Sequence, residues 1–106
     1  MTYIDLKNLT EKEVVPGFNG KFVHSDNVTI AHWTISAGSS LPDHKHPHEQ
    51  IVNLVSGTFE FDLNGDKRIV NAGSIAIVPS NVLHSGKAIT DCYIIDVFYP
   101  VREDYK

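Results

Sequence analysis

The sequence predicts an all-β protein folded as one sandwich or barrel, and three observations carry the prediction. Apolar residues fall in short runs separated by Gly, Pro, Asn and Asp, as in chains of short strands and tight turns. One run, Thr58 to Leu63, alternates apolar and polar at every position and closes on Asn64-Gly65. Nowhere does an apolar repeat of helical period persist, so helices contribute little.

Taken in order, the first signal is a helical one. Thr10-Glu11-Lys12-Glu13 matches a capping box, but Pro16-Gly17 ends any helix within a turn. Val28 to Ile35 is rich in β-branched and aromatic residues and reads as a strand. Gln50 to Val55 is a compact apolar strand bounded by Gly57. Thr58 to Leu63 sets Phe59, Phe61 and Leu63 on one face and Thr58, Glu60 and Asp62 on the other. Asn64-Gly65 then supplies the positive φ angles of a two-residue hairpin turn. Ser74 to Val78 and Cys92 to Tyr99 complete the set of apolar strands.

The chain has 106 residues, which fits one domain over 1–106. It is 42% hydrophobic and 21% charged, with a net charge of -4. An acidic balance argues against nucleic acid as a partner, since phosphate binding needs a basic face. It also means that an anionic ligand must be captured by local positive charge. The apolar runs are too short to span a membrane. The first residues, MTYIDLKNLTEKEVV, lack the basic and apolar regions of a signal peptide. Cys92 is the sole cysteine, so no internal disulfide is available, and a cytoplasmic location is expected.

Four histidines are grouped: His44, His46 and His48 in HKHPHEQ, and His84 in SNVLHSG. In extended backbone His44 and His46 face the same side, and Gln50 shares their parity. The competing reading is a polar loop that happens to be rich in histidine. His48, His24 and His32 are read as lying outside any metal site. Near the C-terminus Asp96 interrupts the apolar run CYIIDVFYP. Burying a carboxylate costs several kcal/mol unless it is compensated, so a core selected for stability alone would avoid it. Asp96 is therefore a candidate proton-transfer group, against the alternative of an edge-strand acid facing water. Phe98 shares its parity and would line the same cavity, and Arg102 could clamp a carboxylate, against the alternative of a solvated tail arginine.

The glycine and histidine spacing strongly resembles the cupin superfamily. Gly38, SSLPD, His44-Lys45-His46, PHE, Gln50, IVNLVS and Gly57 follow the first cupin motif. Gly73, SIAIV, Pro79-Ser80-Asn81, VL and His84 follow the second. Two departures occur in the second motif: Asn81 stands for a glycine and Ala88 for an asparagine. The resemblance implies a jelly-roll (double-stranded β-helix) barrel with its core over about residues 20–100. It also implies one divalent ion held by His44, His46, Gln50 and His84. Nickel, zinc, iron and manganese stay open as its identity. Gln50 stands where many cupins carry Glu, so the ion would keep its full charge and attract an anionic substrate strongly.

HPHEQI and the closing IIDVFYPVREDY resemble the small pectin-degradation cupins of KdgF type. That resemblance implies metal-dependent conversion of 4,5-unsaturated monouronates to linear 5-keto-4-deoxyuronates. Asp96 and Arg102 would act at the site, and Phe98 and Arg102 would meet the substrate. Two alternatives remain: a non-catalytic cupin that binds a small acidic sugar, and an iron-dependent cupin dioxygenase. Cupins of this size commonly pair through their N-terminal strands, so a homodimer is expected. The strand from Val28 to Ile35 would otherwise leave an edge exposed.

Overall fold

The computed structural model describes residues 1–106. Ten strands are formed: β1 (Lys12–Val15), β2 (Phe18–His24), β3 (Thr29–Ile35), β4 (Ser40–His44), β5 (Glu49–Ser56), β6 (Thr58–Leu63), β7 (Asp66–Asn71), β8 (Ile75–Val78), β9 (His84–Ala88) and β10 (Cys92–Tyr99). The two helical pieces are 3-10 turns of three residues each, Leu6–Asn8 and Glu103–Tyr105. No helix is long and apolar enough to cross a membrane.

The strands form two antiparallel sheets. One is six-stranded, in the order β1-β2-β3-β10-β5-β8, and the other is four-stranded, in the order β4-β9-β6-β7. Alternation decides which face of each strand enters the core. In β6, Phe59 is buried and Phe61 and Leu63 pack against the core, whereas Glu60 and Asp62 have the opposite parity. In β10, Cys92, Ile94, Asp96 and Phe98 are all buried on one face. The hairpin from β6 to β7 turns on Asn64 (φ 51°) and Gly65 (φ 91°), both left-handed as the dipeptide requires. Asn81 has φ 61°, so it takes the turn conformation that glycine would supply. At Gly57 (φ 93°) the need for glycine is absolute: a Cβ would lie 2.3 Å from the Asp91 carbonyl oxygen.

Two expectations are corrected. Thr10–Glu13 begins no helix, because Val14 and Val15 extend β1 along β2, and the Glu13 carboxylate instead accepts from the Gly17 amide at 3.3 Å. The helical turn falls earlier, where Asp5 Oδ1 accepts from the Lys7 amide at 3.2 Å. The strand read as Val28 to Ile35 begins at Thr29 and is not an edge. It lies between β2 and β10, paired over seven residues with each. The free edges belong to β1, β8, β4 and β7.

Candidate functional site

The histidines converge because two loops approach each other across the sheet order. His44 ends β4 and faces His84, its cross-strand partner at the start of β9. His46 sits in the loop after β4, and its carbonyl accepts from the Asn81 amide at 2.8 Å, tying that loop to the turn before β9. Gln50 opens the inward face of β5, and neighbouring Glu49 points to solvent, as alternation requires. The ligating atoms of His44, His46 and His84 all lie within 4.8 Å of one another.

Each ring is held by its own backbone. His44 Nδ1 donates to Pro42 O at 2.8 Å, His46 Nδ1 to His48 O at 3.0 Å and His84 Nδ1 to Val82 O at 2.8 Å. With the proton on Nδ1, the lone pair is on Nε2, as in metal-ligating histidine. Burial, then Arg102 and His84, lower the His46 pKa to about 4, so the ring is neutral. Burial lowers His84 as well. His84 Nε2 is buried without a hydrogen-bond partner. His46 Nε2 lies 3.1 Å from Gln50 Oε1, so in this orientation two acceptors face each other. Unpartnered lone pairs pointing at one place are what a divalent cation satisfies, and the donor set of imidazoles and an amide oxygen fits one. Reversing the Gln50 amide would turn that one contact into a hydrogen bond but would leave His84 Nε2 orphaned.

The rings open on a cavity that Gln50, Asp96, Phe98 and Arg102 also line. Asp96 is on a central strand, paired with Ala31 on one side and Val52 on the other, and is 7% exposed. Its Oδ2 accepts from Trp33 Nε1 at 3.0 Å, and its Oδ1 has no partner. Burial pushes its pKa up to about 7, against the opposing pulls of the Gln50 amide, the Trp33 indole and the Arg102 charge. Phe98, 2% exposed, meets His46 edge-on with centroids 5.7 Å apart.

Arg102 is buried, not a solvated tail residue. Its amide donates to Thr29 Oγ1 at 2.8 Å, leaving the Thr29 hydroxyl proton for His24 Nδ1, also 2.8 Å away. The guanidinium carbon lies 4.7 Å from the Phe98 ring centroid and 4.1 Å from that of Tyr105. One edge of its fork is already engaged: Nε donates to Asp104 Oδ1 at 2.9 Å and Nη2 to Asp104 Oδ2 at 2.7 Å. Burial opposes the Arg102 charge, but Asp104 and Tyr105 together raise the pKa above its ordinary value.

His48 stands outside the three-histidine cluster, its ring edge-on to Phe98 at 6.4 Å. His32 shares a 2.6 Å hydrogen bond with the Tyr93 hydroxyl away from the cavity. Sequence reasoning missed Trp33, Asp104 and Tyr105. The spacing Arg-x-Asp in VREDY was the available signal for Asp104.

Two facing antiparallel sheets with imidazoles gathered inside one mouth define a cupin, and residues 31–98 match the family described as Cupin domain. The chain belongs to the cupin family. Among characterised proteins it is similar to the pectin degradation protein KdgF of Dickeya dadantii (strain 3937). The two are 29% identical over 97 residues, covering 89% of this chain and 88% of that protein. The structure of KdgF from Halomonas sp. superposes with a TM-score of 0.93 at 28% identity, covering 100% of this chain and 99% of the other. An RmlC-like cupin from Shewanella frigidimarina shares the fold, with a TM-score of 0.94 at 22% identity, covering 100% and 96% of the two chains.

Proposed function

We propose that this cupin is a metal-dependent enzyme that converts 4,5-unsaturated monouronates to linear 5-keto-4-deoxyuronates. The observation that carries the reading is Asp96, a buried acid with an unpartnered oxygen, in one cavity with three imidazoles and a buried arginine. Similarity to two KdgF proteins, one described as a pectin degradation protein, supports the substrate class.

The substrate is an enol ether conjugated to a carboxylate. Water adds across its double bond, hydrogen to C4 and hydroxyl to C5. The resulting hemiketal opens to a ketone at C5, and the gem-diol left at C1 loses water to give the aldehyde. A divalent ion on His44, His46, Gln50 and His84 would supply Lewis acidity toward the substrate's carboxylate oxygens. Arg102 contributes the cavity's fixed positive charge and orients the carboxylate. Asp96, whose pKa burial raises to about 7 in the metal-free protein, is the group placed to deliver a proton to C4. Trp33 fixes Oδ2 and so leaves Oδ1 for that transfer. Phe98 walls the cavity against bulk water. The test is to mix metal-loaded protein with unsaturated galacturonate and follow the conjugated absorbance. The band is expected to bleach faster than in buffer, and no acceleration would end the reading.

The active form on this reading is a homodimer, paired through the outer face of the six-stranded sheet and not through an edge at β3. Ile51, Ile75, Ile77, Ile95, Val97 and Tyr99 point outward there by strand register, and Ile75, Ile77 and Tyr99 are more than half exposed. Four strands at ~4.8 Å spacing and about seven residues long give a face of roughly 450 Å² in plan, and more as accessible surface. A standard interface needs ~800 Å² per partner, so this face is of the right order. Light scattering should give twice the chain mass, and Ile77→Lys should halve it.

A further inference from the structure

We propose that Asp104 is the positioning residue for the Arg102 guanidinium, holding one edge of the fork so that the other is presented to a substrate carboxylate. The inference rests on the proposed role of Arg102 as the carboxylate-binding group. It starts from the division of donors on the guanidinium. Asp104 takes Nε and one hydrogen of Nη2 at 2.9 and 2.7 Å, in the parallel two-bond geometry that carboxylates and guanidinium share. The Nη1 end, with the second hydrogen of Nη2, is not held by Asp104. It is the edge left for a second carboxylate.

The rest of the side chain is constrained in the same sense. The guanidinium carbon is close to the rings of both Phe98 and Tyr105, at 4.7 and 4.1 Å. The backbone amide is fixed on Thr29. Aromatic contacts restrict the plane of the guanidinium but leave it free to rotate within that plane. Asp104 removes this last freedom. A long side chain left free to rotate would lose rotamer entropy each time it met a ligand, and one ordered beforehand avoids that loss. Asp104 itself is accessible, with its side chain 58% exposed against 9% for Arg102, so it is no part of the core.

Charge and geometry predict opposite signs for its removal. If Asp104 acted only by neutralising Arg102, Asp104→Asn would leave a more positive cavity and would lower KM for an anionic substrate. If it positions the guanidinium, KM rises although the cavity has gained positive charge. With metal-loaded protein and unsaturated galacturonate, Asp104→Asn should raise KM about tenfold with kcat changed little. Asp104→Glu should recover part of the loss. Arg102→Ala should raise KM further, and Arg102→Ala with Asp104→Asn should be no worse than Arg102→Ala alone, because the two act through one contact.

A second readout needs no turnover. The chain has two arginines, Arg68 and Arg102. The Arg102 Nε proton should exchange slowly in the parent and rapidly in Asp104→Asn. An unchanged or lowered KM in Asp104→Asn, or unaltered exchange of that proton, overturns the positioning role. If Arg102→Ala itself leaves KM unaltered, the carboxylate-binding role of Arg102 falls first and this inference goes with it.

Discussion

Asp96→Asn in metal-free protein tests the most unusual group of the cavity without any assay of turnover. Burial raises the carboxyl from its ordinary 3.8 to about 7. The folded state therefore binds more protons than the unfolded state between those values. The stabilisation linked to this proton is complete below pH 3.8, declines through the window and is gone above pH 7. A shift of about three units at ~1.4 kcal/mol per unit gives roughly 4 kcal/mol as the largest difference between the two ends. His46, whose pKa is lowered by burial to about 4, works in the opposite direction, with stability rising between that value and 6.5. It is common to both proteins and cancels in the difference. The stability of the parent minus that of the Asp96→Asn variant should therefore fall by up to ~4 kcal/mol from about pH 4 to about pH 8, with the variant the more stable form at the alkaline end. Urea titrations after chelation measure it directly. The sole tryptophan, Trp33, donates to Asp96 Oδ2 and so reports from the site itself. Parallel stability curves across that range would refute a buried acid that titrates near neutrality.

Three other outcomes follow from the geometry. His84→Ala should drop bound metal from about one ion per chain to near none by elemental analysis, with the far-ultraviolet spectrum unchanged, because one lost imidazole breaks the cluster. Gln50→Glu should tighten metal binding and raise KM for an anionic sugar acid, since the added charge cancels part of the cation's attraction. Gly57→Ala should destabilise by about 2 kcal/mol or more in urea melts, combining a left-handed φ with a Cβ placed against the Asp91 carbonyl.

Much of the molecule was legible where one residue had to satisfy one neighbour. Cys92 to Tyr99 was bounded correctly because its apolar residues alternate into the core and Pro100 ends it. Asp96 was conspicuous because nothing in packing favours it there. Gln50 was assigned a face by parity alone. The strands β4 and β9 were not legible, for SLPDH and HSGKA carry no apolar alternation and become strands only by pairing with each other. β1 was obscured by a local capping signal that sheet pairing overrode. Trp33 was missed because its contact with Asp96 is a diagonal across β3 and β10, visible only once the register pairs Trp33 with Ile94. Asp104 was missed because the sequence shows the arginine but not which edge of it is occupied.

The tethers on the three imidazoles have a consequence for how the site was built and could be moved. Each ring leans on a carbonyl only two positions away in its own peptide, so its aim is set locally within PDHKHPH and VLH. The three ligating nitrogens already lie within 4.8 Å of one another in the metal-free protein, so a divalent ion would meet a cage whose rings are aimed beforehand. A set of imidazoles and one amide oxygen would suit several divalent ions, so ligand type alone would not choose among them.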